Sequence, residues 1–270
     1  MSTLIATDLD QTLIYSRRAI ARWGGDGEAI AAVEQYQGAD SSFMTAGAAA
    51  AMARLHEAAA VVPTTTRTEE QLARVRMPGP PARFAIAANG GVLLVDGTPD
   101  DDWRTDVGRR VEASGPVEDM HRHALAACRP EWTKLVRVAS DLFCYAVLER
   151  DLVPAGFVAD ETARAAELGW RVSQQGRKLY WVPEALTKSA AVAEVVRRTG
   201  ADRVLAAGDS LLDADLLFAA DAGIAARHGE LVESGWTAPH VAVTEHLGIR
   251  AGAEIVRWFA ARVAAPPPAR

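Results

Sequence analysis

Short apolar runs, typical of buried strands, alternate along the chain with Ala-rich or amphipathic stretches that are typical of helices. The predicted strands lie at 3–7, 61–67, 83–91, 202–210 and 240–245. The predicted helices lie at 45–60, 68–76 and 189–200, with a further one beginning at 211. Strands that alternate with helices in this order favour a parallel sheet covered by helices. We therefore predict an α/β fold with a doubly wound, Rossmann-like core.

Between about residue 92 and residue 182 the pattern changes, because strand-like segments there follow one another as hairpins. The strand-like segments are VLLVDG, LVRVAS, LFCYAVLE and GWRVSQQGRKLYWVP. Together with two helical segments they predict an inserted α+β domain, called the cap from here on. The predicted core is 1–91 and 183–270, and the predicted cap is 92–182. We also hypothesise that the long segment 14–44 forms an extra lobe near the site and that the tail VAAPPPAR is disordered.

Composition and charge narrow the classes of partner that the chain can have. Its 270 residues suffice for two domains or for one domain with a large insertion. A formal net charge of −6, from 29 basic and 35 acidic residues, provides no basic surface of the kind that nucleic acids require. No apolar run approaches the ~18 residues of a membrane-spanning helix. We therefore expect no nucleic-acid or membrane partner, and a monomer or small homo-oligomer.

The cysteine spacing and the first residues of the chain indicate in which cellular compartment the protein works. Cys128 and Cys144 form neither a C-x-x-C pair nor a zinc-binding spacing. Sparse, unpaired cysteines are typical of proteins in reducing compartments. The first residues also lack the basic region, apolar stretch and small-residue cleavage site of a signal peptide. We therefore expect a cytoplasmic protein.

Polar side chains of related chemistry follow the predicted strands at their carboxyl ends. They are Asp8 and Asp10, Thr64 to Arg67, Asn89 to Gly91, Gly208 to Ser210 with Asp213, and Lys188 at a helix start. In a doubly wound sheet these ends converge at the edge where ligands bind. Carboxylate oxygens suit Mg²⁺, a carboxylate can act as a nucleophile, and hydroxyls and a lysine can hold phosphoryl oxygens. The pattern therefore predicts a magnesium-dependent site for phosphoryl transfer.

Four short motifs resemble those of the haloacid dehalogenase (HAD) superfamily. DLDQTL at 8–13 is similar to its first motif, D-x-D-x-T, and TTR at 65–67 to its second, often T-G-R. Lys188 in LTKSAAV resembles the third motif, and GDSLLD at 208–213 resembles the fourth. The motifs occur in the family's order. The insertion between motifs two and three resembles the large α+β cap of the Cof-type, sucrose-phosphatase and mannosyl-phosphoglycerate-phosphatase branches.

The resemblance implies a role for each matched residue. Asp8 would be the nucleophile and a metal ligand. Asp10 would be the general acid and then the general base, and its backbone carbonyl would bind the metal. Thr65 and Lys188 would hold the phosphoryl group. The remaining ligands of Mg²⁺ would be Asp209 and Asp213, the latter directly or through water.

The expected function is a Mg²⁺-dependent phosphomonoester hydrolase that works through an aspartyl-phosphate. Its substrate would be a small phosphate ester, and the resemblance implies a sugar phosphate. Candidate substrate-binding residues are Thr66, Arg67, Asn89, Gly90, Arg177 and Lys178. A phosphomutase or phosphotransferase with the same nucleophile is an alternative, and so is a non-catalytic protein that binds a phosphometabolite. The presence of both Asp8 and Asp10 favours an enzyme.

Several residues depart from the family's motifs or suggest other sites. Thr66 replaces the usual glycine of T-G-R, and Leu212 replaces a common Asn. The residues at 227–230 are RHGE, where the family often has G-N-A. The helix positions His121 and His123 do not share a face, so we expect no metal there. We expect the Asp215 side chain to be solvated, and the side chains of Trp170 and Trp181 to pack in the core.

Overall fold

The computed structural model describes residues 2–265. Within these residues the strands are β1 (Thr3–Thr7), β2 (Ile30–Tyr36), β3 (Ala39–Thr45), β4 (Ala60–Pro63), β5 (Phe84–Ala87), β6 (Val92–Val95), β7 (Thr98–Pro99), β8 (Thr133–Ala139), β9 (Phe143–Leu148), β10 (Trp170–Gln175), β11 (Lys178–Pro183), β12 (Arg203–Gly208), β13 (Ala222–Ala225) and β14 (Val241–Val243). The helices are α1 (Arg17–Arg22), α2 (Ala46–Leu55), α3 (Glu69–Leu72), α4 (Asp101–Val111), α5 (Val117–Ala127), α6 (Phe157–Glu167), α7 (Lys188–Thr199), α8 (Ala214–Ala219), α9 (Glu230–Glu233) and α10 (Gly248–Ala264).

The core is a five-stranded parallel sheet in the order β14-β13-β12-β1-β4. The interior strand β1, which pairs with β12 and β4, is buried on both faces, as its largely apolar sequence predicts. Leu4 packs into the apolar cluster under α7 and α8, and Ile5 packs into the one under α2 and α10. Helices therefore cover both faces of the sheet, which confirms the predicted doubly wound core.

The predicted strand at 83–91 differs from the expectation. Only its first half forms a strand, β5, and one parallel bridge, Thr64 to Ile86, joins this strand to the edge of the core sheet. β5 then pairs antiparallel with β6, and β6 with β7. The predicted boundary between residues 91 and 92 thus lies inside one small sheet, and the division into domains stays a prediction.

The cap contains a four-stranded antiparallel sheet in the order β10-β11-β9-β8, with α5 and α6 packed against one face. Trp170 and Trp181 are buried, as expected, and the Trp181 indole donates to Glu161 of α6. Because side chains alternate along a strand, the neighbour Tyr180 points to the opposite face. His123 also bonds Glu161, which gives this histidine a structural partner.

Segment 14–44 forms α1 and an antiparallel hairpin of β2 and β3, with irregular register around Glu34. The hairpin is tied to the core by the bridge between Tyr15 and Phe43 and by the bond from Arg76 N to Val33 O. The hypothesised extra lobe is therefore a hairpin packed on the core.

At the other end, the first residues of the tail, Val263 and Ala264, complete α10. The rest of the predicted disorder, at 266–270, lies outside the described residues. From Ser2 to Ala265, every helix is too short or too polar to cross a membrane.

Candidate active site

Three carboxylates from motifs one and four meet at the carboxyl edge of the core sheet. Asp8 follows β1, and its backbone N–H donates to Ala207 O of β12 at 2.9 Å. Asp209 and Asp213 follow β12, and oxygen atoms of all three acids lie within 4.8 Å of one another. All three side chains are buried. The parallel pairing of β1 and β12 therefore brings together residues about 200 positions apart in the sequence.

Lys188, the first residue of α7, is fully buried between two of these acids. Its Nζ donates to Asp8 Oδ1 at 2.7 Å and to Asp213 Oδ1 at 2.5 Å. Burial disfavours the ammonium form, but the two carboxylates more than compensate and raise the pKa of Lys188 above its ordinary value. The residue is therefore a fixed positive charge beside the predicted nucleophile.

The second oxygen of Asp213 holds the motif-four loop together. Oδ2 accepts from the backbone N–H groups of Asp209 and Ser210 and from the Ser210 hydroxyl, at 2.9 to 3.0 Å. Gly208 permits this approach, because a Cβ there would lie 2.3 Å from the Asp213 Cβ. Asp213 thus has few free acceptor sites, which suits contact with a metal through water. Its role as a ligand stays a prediction.

The charges of the cluster fit a divalent cation. Three buried carboxylates face the single ammonium group of Lys188, which leaves an excess of negative charge in a desolvated place. Burial raises the pKa of Asp8 to about 7 and that of Asp209 well above its usual range, and mutual repulsion adds to both shifts. A bound Mg²⁺ would remove this penalty, since hard carboxylate oxygens are its preferred ligands.

Asp10 lies at the solvent side of the cluster and is held by Arg67. Arg67 Nε donates to Asp10 Oδ2 at 2.6 Å, and Nη2 donates to Oδ1 at 2.8 Å. Partial burial acts against the ionised form of Asp10. The Arg67 hydrogen bonds and charge outweigh it and hold the pKa of Asp10 below its ordinary value. The same guanidinium also binds Glu34 of β2.

The remaining core residues predicted to contact substrate lie close together but are largely buried. Thr65 is fully buried, and its Oγ1 accepts from Arg67 N at 3.2 Å. Asn89 is also fully buried and donates from Nδ2 to Leu186 O at 2.9 Å. Gly90 packs directly against the carbonyl of Thr187. Asn89 and Gly90 thus brace the segment that leads into Lys188, and their contact with substrate stays a prediction.

The cap presents charged and aromatic side chains to this edge of the core. Lys178 Nζ lies 5.3 Å from the centre of the Tyr145 ring and 5.9 Å from that of Tyr180. The charges of Lys178 and Asp10 influence each other, and Tyr180 lies beside Thr66. Arg177 is exposed in the turn between β10 and β11.

The sequence interpretation omitted Tyr145 and Tyr180, although both fall in predicted strands. Alternation along LFCYAVLE and KLYWVP could have placed each tyrosine opposite its buried neighbours. Which face meets the core is decided by the packing of α5 and α6.

Two further core residues were missed or misassigned. Thr12 Oγ1 donates to Asp209 Oδ1 at 3.3 Å, a contact that the threonine of D-x-D-x-T could have signalled. Asp215 was expected to be solvated, but its Oδ2 accepts from Ser189 N at 2.8 Å. An acceptor at this position satisfies a free N–H at the start of α7 and stabilises the turn that carries Lys188.

His228, in the RHGE segment, supports the turn after Asp10. Its Nε2 donates to Gln11 O at 2.9 Å, and its Nδ1 accepts from Gly248 N at 3.1 Å. The centre of the His228 ring lies 4.4 Å from the centre of the Trp23 ring. Burial lowers the pKa of His228 to about 4, so the ring is neutral, with its proton on Nε2. The histidine thereby supports a left-handed backbone at Gln11, where φ is +61°.

The structure of this chain resembles known proteins, whereas its sequence as a whole does not. The sequence matches no family model and no curated protein. The structure is similar to sucrose-phosphatase from Synechocystis sp., solved with sucrose and phosphate, at a TM-score of 0.67 and 14% identity, covering 96% of this chain and 99% of that one. It is also similar to a subclass IIB sugar phosphatase of the HAD superfamily (0.58, 13%, 96% and 99%) and to the C-terminal domain of trehalose-6-phosphate phosphatase from C. albicans (0.55, 13%, 97% and 94%).

These similarities extend over nearly the whole length of each chain, the predicted core and insertion together. At such low identities they establish the fold. The predicted resemblance to the HAD superfamily is therefore confirmed as a shared architecture.

Proposed function

We propose that this chain, whose fold is that of the haloacid dehalogenase phosphatases, is a Mg²⁺-dependent phosphomonoester hydrolase that works through an aspartyl-phosphate. The observation that carries the proposal is Lys188, buried between Asp8 and Asp213 in a cluster with an excess of negative charge. A lysine desolvated beside one carboxylate nucleophile supports phosphoryl transfer, because that reaction needs positioning and charge neutralisation above all.

Each group of the site has a defined task in this proposal. Asp8 attacks the phosphorus atom, while Asp10, in the protonated form that the Arg67 contacts make the minor one, gives a proton to the leaving oxygen. Asp10 then takes a proton from the water that hydrolyses the aspartyl-phosphate, and the Asp8 oxygen is freed. Lys188 orients Asp8 and neutralises charge throughout. Mg²⁺, held by Asp8, Asp209 and the Asp10 carbonyl, with Asp213 directly or through water, would supply further positive charge at the phosphoryl oxygens.

The cap supports a sugar phosphate as the substrate class. Lys178 and Tyr180 lie close enough to Asp10 for their charges to interact with it, and the Tyr145 ring lies beside Lys178. The organic part of a phosphate ester would lie at this solvent side of Asp10. Aromatic faces with polar groups beside them suit the mixed apolar and hydroxylated surface of a sugar. The similar structures include a sucrose-phosphatase and a sugar phosphatase.

The proposal also covers the organisation of the protein. The core would be 1–91 and 183–270, and the cap at 92–182 would select the substrate. The chain would act in the cytoplasm as a monomer or small homo-oligomer. Its two buried free cysteines support a reducing compartment.

A phosphate-release screen tests the function directly. The full chain with Mg²⁺ is assayed on sugar, nucleotide and glycerate phosphates without any added acceptor. We expect release from at least one sugar phosphate, loss of release in Asp8→Asn, and loss on chelation of the metal. Asp26→Asn, which changes an exposed acid in the loop after α1, is the matched control and should retain activity.

Two outcomes would count against the hydrolase. A folded protein that releases no phosphate from the whole panel contradicts the function. Turnover that appears only when a sugar hydroxyl acceptor is added would point to a phosphotransferase. Trapping of a phosphorylated Asp8 separates both enzymes from a protein that only binds a phosphometabolite.

A further inference from the structure

Glu34, in the hairpin of β2 and β3, is a buried carboxylate with three charged or hydroxyl partners. Its oxygens accept from Arg67 at 2.9 and 3.1 Å, from Arg74 Nε at 3.3 Å and from Ser42 Oγ at 2.5 Å. Ser42 lies on the paired strand, so the hairpin itself fixes the carboxylate. A buried acid with this many donors is ionised and held in one orientation, and its pKa lies below the ordinary value despite burial.

Arg67 joins Glu34 to Asp10 and has no N–H group left over. A guanidinium has five N–H donors. Nε and one donor of Nη2 bind Asp10, while the other Nη2 donor and one donor of Nη1 bind Glu34. The last Nη1 donor reaches Gln71 O at 3.4 Å. Arg67 therefore acts as a bridge between two carboxylates, and in this arrangement it has no donor for substrate.

Asp10 is the exposed end of this chain of contacts. Its side chain is 46% exposed, whereas those of Arg67 and Glu34 are 10% and 5% exposed. Among the described side chains, Arg67 is the partner that binds both Asp10 oxygens. The direction of the Asp10 carboxyl group thus depends on Arg67, and the plane of Arg67 is set by its bidentate contact with Glu34.

We propose that Glu34 is a positioning residue for proton transfer at Asp10, acting through Arg67. The inference rests on the proposed function and adds a task for the hairpin, which no motif of the sequence had assigned. Without Glu34, two donors of Arg67 lose their partner. The long side chain then regains rotamer freedom or turns toward the phosphate, and Asp10 loses its fixed direction.

Proton transfer can be separated from the other steps by the leaving group. In the first step the P–O bond to the leaving oxygen breaks while Asp8 bonds to phosphorus. A sugar oxygen must receive the Asp10 proton, whereas p-nitrophenolate departs as a stable anion without one. In the second step water attacks phosphorus, its proton passes to the ionised Asp10, and the bond from phosphorus to the Asp8 oxygen breaks to release inorganic phosphate. Asp10 reaches the ionised form by protonating the sugar oxygen, whereas with p-nitrophenyl phosphate it is ionised from the start, the form that Arg67 favours. The second step needs Asp10 for every substrate.

The test compares Glu34→Gln with wild type in rapid-mixing and steady-state assays. The substrates are p-nitrophenyl phosphate and the best sugar phosphate from the screen. Asp40→Asn, which changes an exposed acid of the same hairpin that does not contact Arg67, is the control. With the sugar phosphate we expect turnover to fall about tenfold or more, because the variant loses part of the rate enhancement that general acid–base catalysis supplies. With p-nitrophenyl phosphate we expect a first-turnover burst at the wild-type rate, followed by slow turnover.

A double-mutant comparison distinguishes an effect of Glu34 that acts through Arg67 from a general loss of structure. If Glu34 acts through Arg67, then Glu34→Gln should add little to the defect of Arg67→Gln. The inference is overturned if Glu34→Gln slows the burst and the sugar substrate equally, or if it leaves both unchanged. It is also overturned if the two defects multiply. A wild-type protein without phosphatase activity would instead overturn the proposed function itself, and this inference with it.

Discussion

Among single residues, Lys188 shows most clearly how the site balances burial against charge. A buried ammonium between two carboxylates stabilises the protein only while all partners are present. The same contacts hold the predicted nucleophile in place. Under the proposed function, stability and reactivity would therefore depend on the same ion triad, and a substitution there should affect both.

Lys188→Met should abolish phosphate release and lower the free energy of unfolding by about 3 kcal/mol, the usual cost of leaving a buried charge unpaired. Because a cation can replace part of the lost charge, Mg²⁺ should raise the melting temperature of the variant more than that of wild type. Thermal unfolding with and without Mg²⁺ measures both effects. Lys134→Met, at a half-exposed cap residue, should behave like wild type. An Mg²⁺ effect no larger than in wild type would contradict the charge argument.

His228 predicts how stability changes in mild acid. Its pKa is about 4 in the folded protein and about 6.5 when unfolded, because burial and the nearby Arg22 disfavour the charged ring. Between these values the unfolded chain binds a proton that the folded chain does not. The free energy of unfolding therefore falls as the pH drops from about 6.5 to 4. The other groups that face the ring are Tyr15 and Trp23.

His228→Gln removes this proton uptake, so its stability should depend less on pH across the same window. Urea unfolding at several pH values between 4 and 7 measures the two slopes. The variant also loses packing, so it should be less stable at pH 7. Parallel slopes in the two proteins would show that His228 is not the group responsible.

Among the secondary-structure elements, the two segments that join core and cap determine where α7 begins. The segment that leads from the core into the cap passes close to Thr187 at Gly90. A Cβ added to Gly90 would lie 2.1 Å from the Thr187 carbonyl oxygen. Asn89 binds the carbonyl of the preceding Leu186. The backbone next to Lys188 is thus fixed by contacts with residues about 100 positions earlier.

Gly90→Ala should therefore displace Thr187 and reduce the turnover number. Gly97→Ala is a matched control, because Gly97 also has a positive φ, +81° against +96°, but a Cβ added there would meet nothing within 4 Å. Both variants bear the cost of a left-handed backbone, about 1 kcal/mol. We expect an activity loss in Gly90→Ala alone, measured at substrate saturation. Equal effects of the two substitutions would contradict the role of the close contact between Gly90 and Thr187.

The sequence predicts those elements best whose local pattern agrees with their tertiary setting. The strand at 3–7 and the helix at 189–200 lie within one residue of their predicted ends, because their apolar runs and caps are local signals. The hairpin of β2 and β3 was not predicted. Its register is irregular at Glu34, and a charged residue points inward there, which breaks the alternation expected of a strand.

The candidate site was predictable to a similar extent. Motif spacing predicts that Asp8, Lys188 and Asp209 meet at one edge of the sheet, because parallel strands end there, and the structure places the three side chains close together. Their roles stay predictions. Motif spacing could not reveal that Arg67 would be occupied by Glu34, because that contact joins residues from an irregular hairpin and a loop. Partners of this kind are decided by packing.

In the whole molecule, cap and core touch beside the motif-four loop. Glu230 of α9 accepts from Ser173 Oγ at 2.6 Å and from Gln174 N at 2.7 Å, both on cap strand β10. It also accepts from Leu211 N in the core at 3.1 Å. One carboxylate therefore ties the cap sheet to the loop that holds Asp209 and Asp213. The position of the cap is coupled to the predicted metal site.

Glu230→Ala should loosen the cap and raise the KM for substrate more than it lowers kcat. Faster hydrogen exchange of the β10 and β11 amides would report the same change without any substrate. Glu233→Ala, in the same short helix but exposed, should leave both quantities at wild-type values. Unchanged exchange in Glu230→Ala would show that other contacts hold the cap.

The close contact between Gly90 and Thr187 has a further consequence for how such a protein can change over evolution. For the core, residues 91 to 186 form a loop whose two ends already touch. The entropy of closing a loop grows only with the logarithm of its length, about 0.6 kcal/mol for each doubling. A larger, smaller or wholly different insert can therefore occupy this place at little cost to the core. One catalytic core can thereby acquire a new substrate by exchanging a single continuous stretch of chain.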